Sequence, residues 1–507
     1  MSEYVRWHKS FSIVALGHRL LSMPMLVVLI PLVVGIALTQ YYTLPPFVAE
    51  IAICLLLVAA WFFDNRIASW GYTALALILL GYILVEYRSP SASVPYDSVV
   101  EMDVDVVGLP AERNGYSVAE GKVVRWREDG AWRRADDKVQ LWLRTDTIGV
   151  GDRVVVWGEL RERMSRNVEY NTLLRNRGYV GGVGISDINI IEINHSARTT
   201  LHQRAVAKLE GYNLDSMTLA TVEAMVVGER HAMPKVLRDA YSETGLSHLL
   251  AVSGLHLGIV FMVVLLVVAP LRLIHRGHRV VNIVVIVAIW IFAVMSGLSP
   301  SVVRAAIMLT MLQIAQFSSA VSNSTNILAF TLFAMLVYRP SYLYDISFQL
   351  SALAVMGILL WGQPLLRSIK VRSKILRVVV STLVIGSVAT LWTLPMVSHT
   401  FGSLPIAGVI ITPVVMLFAY LIVGCGLFAL IVPNPISLPF VSVCEYSAYL
   451  QNEVVLWSAE HGLTGFKYEM TDVGVALCYT LFAIITISIW SINRKKVVSL
   501  SKYVDDI

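Results

Sequence analysis

The chain of 507 residues is 56% hydrophobic and only 15% charged, whereas a soluble domain usually carries about 25% charged residues. This composition excludes a wholly soluble protein and indicates an integral membrane protein. The net charge of +5 does not by itself indicate a nucleic-acid partner. Residues 86–200 contain 16 of the 40 basic residues and 18 of the 35 acidic residues, so the net charge of that segment is −2. The rest of the chain has a net charge of +7.

The N-terminal region, residues 1–90, is predicted to cross the membrane three times. Its apolar runs at 21–38, 46–63 and 66–85 are each near the ~20 residues that a spanning helix needs. The first run has no A-x-A-like cleavage site and is followed by further spans, so it does not resemble a cleaved signal peptide.

Residues 91–200 have a different pattern from the apolar runs before them. Short alternating segments, such as 122–126, 139–144 and 153–160, are separated by Gly, Asp and Asn. This pattern predicts a small all-β domain inserted after the third span. The predicted fold is therefore a polytopic α-helical membrane protein with one small β domain.

A helical connector is expected at 201–248, followed by a polytopic domain at 249–493 and a short basic tail at 494–507. Apolar runs of suitable length define the spans of the polytopic domain. The candidate spans lie near 249–271, 280–297, 302–321, 324–338, 347–366, 378–396, 404–432 and 473–492.

Two basic loops and the tail predict the topology. The positive-inside rule makes them cytoplasmic, and counting spans from a cytoplasmic N-terminus then places the β domain outside the cytoplasm. The number of spans after residue 398 stays open. The segment 404–432 is long enough for a re-entrant pair, and 443–462 has the pattern of an amphipathic interfacial helix. The loops carry Arg272, Arg276 and Arg279, and Arg367, Lys370, Arg372, Lys374 and Arg377.

No enzyme activity, cofactor or metal site is predicted. The four cysteines have no paired spacing. The sequence contains no P-loop, no G-x-S-x-G and no H-E-x-x-H motif. A P-loop ATPase within this chain is therefore not expected to power transport.

Arg304 is a charged residue just inside a predicted span. Such a charge costs at least ~2.5–3.5 kcal/mol on insertion scales, so the guanidinium is expected to face a polar cavity or a partner. The alternative is an anchor at the membrane boundary, because Arg304 lies close to the break at Ser299 and Pro300.

The segment GLSHLLAVSGLH at 245–256 carries Ser253 and other small residues between two histidines. Small residues allow close helix approach or a helix break. On an unbroken helix, His248 and His256 would lie about 80° and ~12 Å apart, too far to share a metal ion. We therefore expect hydrogen-bonded or pore-lining histidines rather than zinc ligands.

The segment DISFQLS at 345–351 places Asp345 and Gln349 on one helix face, with Ser351 close by. The next turn of that face is apolar, so the polar strip is short. The alternative is that Asp345 caps the helix and the rest of the segment packs in the ordinary way.

Cations and aromatic residues alternate in the predicted β domain. Single-strand binders use this pairing for phosphate contacts and base stacking. Because the domain is net −2, two adjacent strands with solvated charges are the alternative explanation. The candidate nucleic-acid contacts are Arg125, Trp126, Arg127, Trp132, Arg133 and Arg134.

Several of these segments together resemble the ComEC family of bacterial competence proteins. The sequence GER at 228–230 and the segment 245–256 are similar to its hallmark, and SVVRA at 301–305 and the segment 345–351 look like further family segments. Residues 151–185 resemble the family's extracytoplasmic OB-like module. The resemblance covers most of the chain.

The resemblance implies a multi-pass channel of the bacterial inner membrane that passes single-stranded DNA into the cytoplasm during natural transformation. It implies contact with membrane lipids, a separate nuclease and a cytoplasmic ATP-driven helicase as partners. A polyanion needs a wet, polar-lined passage through hydrocarbon, which agrees with this expectation. The matching positions around the path are His248, Ser253, His256, Arg304, Asp345, Gln349 and Ser351.

Two departures from the family pattern keep other functions open. Many members continue into a metallo-β-lactamase-like domain, which is not expected here because the sequence stops at Ile507. The stretch 404–413 resembles a family segment that has Asn where this chain has Gly408. The alternatives are a non-transport scaffold that binds protein partners through the β domain, and a transporter of another solute or lipid.

Overall fold

A computed structural model describes residues 24–505, except for short gaps. The gaps are at 43, 63–64, 89–90, 108–110, 114–115, 129, 146–147, 149–150, 165–170, 172–173, 176–177, 195–200, 231–232, 275, 318–322, 370 and 405. The basic N-terminal segment 1–20, part of the match at 151–185 and Lys370 therefore lie outside the described residues.

Three N-terminal helices, α1 (Pro24–Leu38), α2 (Pro46–Phe62) and α3 (Arg66–Arg88), form the first part of the bundle. Helices α1 and α3 cross in close contact at glycines. A Cβ built on Gly35 or Gly81 would overlap the backbone of the facing helix. These small residues let the two backbones approach without a side chain between them.

The β domain is a separate region with a seven-stranded sheet, as the alternating pattern predicts. The strand order is β6-β4-β3-β1-β5-β7, with β2 paired to β3. All pairs are antiparallel except β4 with β6. A bridge between Arg161 and Gly182 returns β6 towards the end of β5, so the sheet curls around a buried apolar core. The strands are β1 (Val99–Val106), β2 (Ala111–Arg113), β3 (Tyr116–Glu128), β4 (Ala131–Arg144), β5 (Arg153–Glu159), β6 (Gly181–Ser186) and β7 (Ile190–Asn194).

Helices make up nearly all of the described chain after residue 200. The connector contains α4 (Leu201–Glu210), α5 (Ser216–Val226) and α6 (Lys235–Glu243). A 3-10 turn, Ala269–Leu273, extends α8, and a π-helical segment, Ile358–Gly362, joins α12 to α13. The remaining helices are α7 (Ser247–Leu250), α8 (Gly254–Val268), α9 (Gly277–Met295), α10 (Pro300–Phe317), α11 (Ser324–Tyr338), α12 (Ile346–Gly357), α13 (Gln363–Ser368), α14 (Lys374–Phe401), α15 (Ile406–Ile431), α16 (Leu438–Glu460) and α17 (Asp472–Asp505).

Within the described ranges, seven helical segments are long and apolar enough to cross a membrane. Shorter apolar helices include α1, α2, α11 and most of α10. The predicted multi-pass membrane protein is therefore confirmed. The seven segments are 68–88, 254–273, 277–295, 346–368, 376–401, 411–431 and 472–489.

The structure differs from the sequence prediction at the span 249–271 and decides between the two alternatives left open at 404–432. The predicted span 249–271 is interrupted, because α7 ends at Leu250 and α8 begins at Gly254. The segment 404–432 is a single helix, α15, which continues through Pro413 and is not a re-entrant pair. Helix α16 buries one face, with both apolar and polar side chains, against α15 and α5. Its predicted position at the membrane interface stays a prediction.

Candidate functional site

The break between α7 and α8 is built by Ser253 and His256. Ser253 has extended backbone, and its Oγ accepts a hydrogen bond from the Leu255 amide at 3.3 Å. Nδ1 of His256 accepts from the Ser253 amide at 3.2 Å, which completes a capping box with His in the usual Glu position. The neutral His256 ring therefore carries its proton on Nε2. This buried nitrogen has no hydrogen-bond partner among the described residues.

Helix α10 begins beside this break and carries Arg304. The Ser301 hydroxyl donates to the Val252 carbonyl at 3.1 Å, which ties the start of α10 to the break. Arg304 is only 2% exposed, so it is not an exposed anchor. Its Nη2 donates to the Ser351 hydroxyl, and its Nε and Nη1 have no partner within the described chain.

The side chains of Asp345 and Gln349 form hydrogen bonds with the backbone at the start of α12 and just before it. The Asp345 carboxylate accepts from the amides of Ser347 and Phe348 at 2.9 and 3.1 Å, so it caps the helix as the alternative prediction stated. The Gln349 side chain donates to the Leu343 carbonyl at 2.7 Å, and its Oε1 lacks a partner in the described structure.

The structure thus brings the predicted path residues together only in part. Hydrogen bonds join Arg304 to Ser351 and Ser253 to His256. His248 is exposed on α7, and its Nδ1 lies 3.2 Å from the Gly245 carbonyl oxygen. Among the described residues, no hydrogen bond joins it to another predicted site residue.

The segments that resemble the family converge around the break. Gly228 has a φ of +85°, and a Cβ there would lie 3.2 Å from Val252. A Cβ on Gly254 would lie 3.4 Å from Ala305 on α10. Glycines at both positions therefore let the backbone of the 228–230 segment, the break and α10 pack closely.

A second polar cluster, which the sequence analysis did not select, lies in the connector. His202 contacts the Met295 carbonyl oxygen at 2.8 Å and the Glu229 carboxylate at 3.2 Å. Glu223 on α5 is 3% exposed. Burial, followed by the charges of Glu210 and Glu229, raises the pKa of Glu223 to about 7. The hydrogen bond to Glu229 raises the pKa of His202. A carboxylate in an otherwise apolar helix was the sequence signal for this cluster.

The candidate nucleic-acid residues of the β domain are largely engaged within the sheet. Arg125 donates to Asp103 at 2.6 Å, and Arg127 donates to Glu101 at 3.2 Å. Arg133 pairs with Glu128, and Arg134 is exposed. Trp126 is 5% exposed and is not available for stacking with a base. The Arg125 guanidinium lies 4.6 Å from the Trp132 ring centroid, so it covers one face of the more exposed tryptophan.

Comparisons with known proteins agree with this arrangement of segments. A family model described as Competence protein matches residues 225–493, more than half of the chain. Recombination protein 2 of Haemophilus influenzae is 26% identical over 345 residues, which are 63% of this chain and 40% of that protein. ComE operon protein 3 of Bacillus subtilis is 26% identical over 188 residues, 37% of this chain and 23% of that protein.

An uncharacterized protein of Aquifex aeolicus is 30% identical over 188 residues, 37% of this chain and 42% of that protein. The matches thus span less than half of the length of these relatives. No solved structure matches the chain significantly. The family match extends from the end of α5 through the helix break and Arg304 to α17. On this evidence the chain belongs to the ComEC family of competence proteins.

Proposed function

We propose that this protein forms the inner-membrane passage through which single-stranded DNA enters the cytoplasm during natural transformation. Membership of the competence family and the names of its relatives support a role in DNA uptake. The observation that carries the proposal is Arg304, a buried cation that forms no ion pair with any described residue.

An uncompensated buried charge is costly, so a function is the default hypothesis for it. Arg304 has two unpartnered nitrogens, Nε and Nη1, and His256 has an unpartnered Nε2. Phosphodiester oxygens accept hydrogen bonds and carry the charge that a guanidinium complements. A passing DNA backbone would therefore satisfy groups that the described protein leaves unsatisfied.

We assign the β domain to the outer side of the membrane as an OB-like module. The parallel pair of β4 and β6 within an otherwise antiparallel curled sheet supports the OB-like assignment. DNA contact at Arg127 or Trp132 would compete with the Arg127–Glu101 ion pair and with the packing of Arg127 on the Trp132 ring, whereas Arg134 is exposed. A separate nuclease and a cytoplasmic helicase complete the proposed pathway.

Uptake of labelled DNA by a strain that lacks the native gene tests the role of Arg304. The Arg304→Ala variant is expected to lower uptake at least tenfold at an unchanged membrane level, since a charge-assisted hydrogen bond contributes about 1.5–3 kcal/mol. Arg161→Ala is the control, because the Arg161 side chain forms an exposed pair with Glu159 and its bridge to Gly182 is made by the backbone, which the substitution keeps.

The Arg304→Lys variant separates charge from folding. It keeps the positive charge and is expected to retain part of the uptake, whereas loss of packing alone would reduce the membrane level of all variants at this position. Normal uptake by Arg304→Ala, or by cells without the gene, would contradict the proposal and favour a scaffold or a transporter of another solute.

A further inference from the structure

A cavity of about 590 Å³ lies where α13 ends and α14 begins, at the second basic loop. Three arginines line it, Arg367, Arg372 and Arg377. Apolar side chains, among them Leu366, Ile369 and Val380, form much of the remaining wall. The cavity therefore combines a cationic lining with an apolar one, and it is distinct from the polar groups around the helix break.

The three guanidinium groups have no acidic partner among the described residues. Residues 346–444 contain no Asp or Glu at all. In the part of the chain that the structure describes, the three arginines form no ion pair, and Arg377 donates one hydrogen bond, to the Val371 carbonyl at 2.9 Å. Three positive charges thus converge on one cavity without local neutralisation.

The cavity also lies at the ends of two apolar helical segments, 346–368 and 376–401, each long enough to span a membrane. Leu365, Leu376 and Val379 flank the arginines in sequence and are exposed. Arginines at the end of a spanning segment lie at the level of the lipid headgroups. The exposed apolar side chains then lie beside acyl chains.

We propose that this cavity binds the headgroup of an anionic phospholipid, with the phosphate held by Arg367, Arg372 and Arg377 and the acyl chains along the exposed apolar surface of α14. Charge complementarity selects an anion, and the apolar wall favours a lipid over a purely polar polyanion. The site goes beyond DNA uptake and does not depend on it.

Native mass spectrometry of the full-length protein in an uncharged detergent tests the proposal. Phosphatidylglycerol and zwitterionic phosphatidylcholine of the same chain length are the two probes. We expect adducts with phosphatidylglycerol in clear excess, and a roughly fivefold loss of that excess for each arginine changed to glutamine, since each basic residue near an anionic surface contributes about 1 kcal/mol.

The matched control is the other basic loop, changed by Arg272→Gln, Arg276→Gln and Arg279→Gln. The triple variant Arg367→Gln, Arg372→Gln and Arg377→Gln is expected to lose the preference for phosphatidylglycerol, and the control triple is expected to keep it. Size-exclusion profiles establish that both variants fold.

Three results would overturn the proposal. One is equal loss in both triple variants, which would indicate a general effect of positive charge. Another is equal binding of the two lipids by the unchanged protein. The third is binding of a labelled single-stranded oligonucleotide that depends on Arg367, Arg372 and Arg377 while lipid binding does not, because the cavity would then hold DNA.

Discussion

Individual polar residues near the helix break differ in whether the protein satisfies them. The Asp345 carboxylate accepts hydrogen bonds from two backbone amides of α12. Arg304, His256 and Gln349 each keep a buried polar atom without a partner among the described residues. Unsatisfied buried groups are destabilising, so they are rare unless a ligand or water completes them. This contrast separates a capping residue from candidates for contact with a passing ligand.

Gly408 shows how packing limits the identity of one residue. A Cβ on Gly408 would lie 2.9 Å from the Thr244 carbonyl oxygen. Asn, which the resembling family segment has at this place, would therefore require a shift of the backbone near Gly245. The absence of this polar side chain is explained by close packing of α15 on the segment before α7.

The connector cluster predicts a dependence of stability on pH. Folding raises the pKa of Glu223 from 4.5 to about 7, so the folded state binds this proton more tightly and stability falls as pH rises from about 4.5 through 7. The Glu223→Gln variant should match the unchanged protein at pH 5 and unfold on the order of 3 °C higher at pH 8.

Thermal unfolding in detergent at the two pH values measures this effect, with Glu453→Gln on the exposed face of α16 as the control. His202 also has a raised pKa, so its contribution is lost as pH rises above 6.5, and part of the slope should remain in the Glu223→Gln variant. An unchanged melting temperature at pH 8 would contradict the assignment of a costly buried charge at Glu223.

At the scale of elements, the interruption between α7 and α8 positions the candidate site. The capping box starts α8 at Gly254 and turns Val252 towards α10, where Ser301 holds it. In an uninterrupted helix from 249, the Val252 carbonyl would not be free to accept from Ser301, because carbonyl groups in a helix interior accept hydrogen bonds from amides of the same helix. The break therefore joins the start of α8 to α10 through a hydrogen bond, and Arg304 on α10 in turn donates to Ser351 on α12.

Removal of the cap is expected to destabilise α8. Ser253→Ala deletes the acceptor for the Leu255 amide and the contact with His256, at a cost of about 1 kcal/mol. Thermal unfolding should shift downwards by roughly 1 °C in a chain of this length, because the shift per kcal/mol falls as the entropy of unfolding grows with size. Ser253→Thr keeps the hydroxyl and should restore most of the difference. Ser347→Ala, on the exposed first turn of α12, is the control, and an equal shift there would contradict a specific role for the cap.

At the scale of the whole molecule, a sheet domain and a helical bundle are combined in one chain. The two parts meet where the Arg339 guanidinium lies against Gly178 of the β domain. Arg88, at the end of α3, donates to the Tyr338 carbonyl at 3.0 Å and so ties the N-terminal helices to the end of α11. The N-terminal helices, the β domain and the later bundle thus adjoin around residues 338–339.

The predicted topology can be tested by labelling with a membrane-impermeant maleimide in a background without the native cysteines. Ala131→Cys at the exposed tip of the β3–β4 hairpin should react in intact cells. Arg272→Cys in the exposed first basic loop should react only after permeabilisation, because the positive-inside rule makes this loop cytoplasmic. The reverse pattern would contradict the predicted orientation.

The sequence alone determined that the chain is a multi-pass membrane protein with a β region, because apolar runs and alternating segments are local properties of the chain. Hydropathy also predicted most helices within a few residues, such as α11 at 324–338. Arg304 could be selected because a charge inside an apolar run is visible in one dimension.

Only the tertiary structure decided which polar residues meet. It joined Arg304 to Ser351, 47 positions away in the chain, assigned Asp345 to a local cap, and placed Arg125 on Asp103 rather than in solvent. It also revealed the cluster of His202, Glu223 and Glu229. These outcomes depend on which helix faces and strands pack together, and such long-range contacts leave no periodic signal in the sequence.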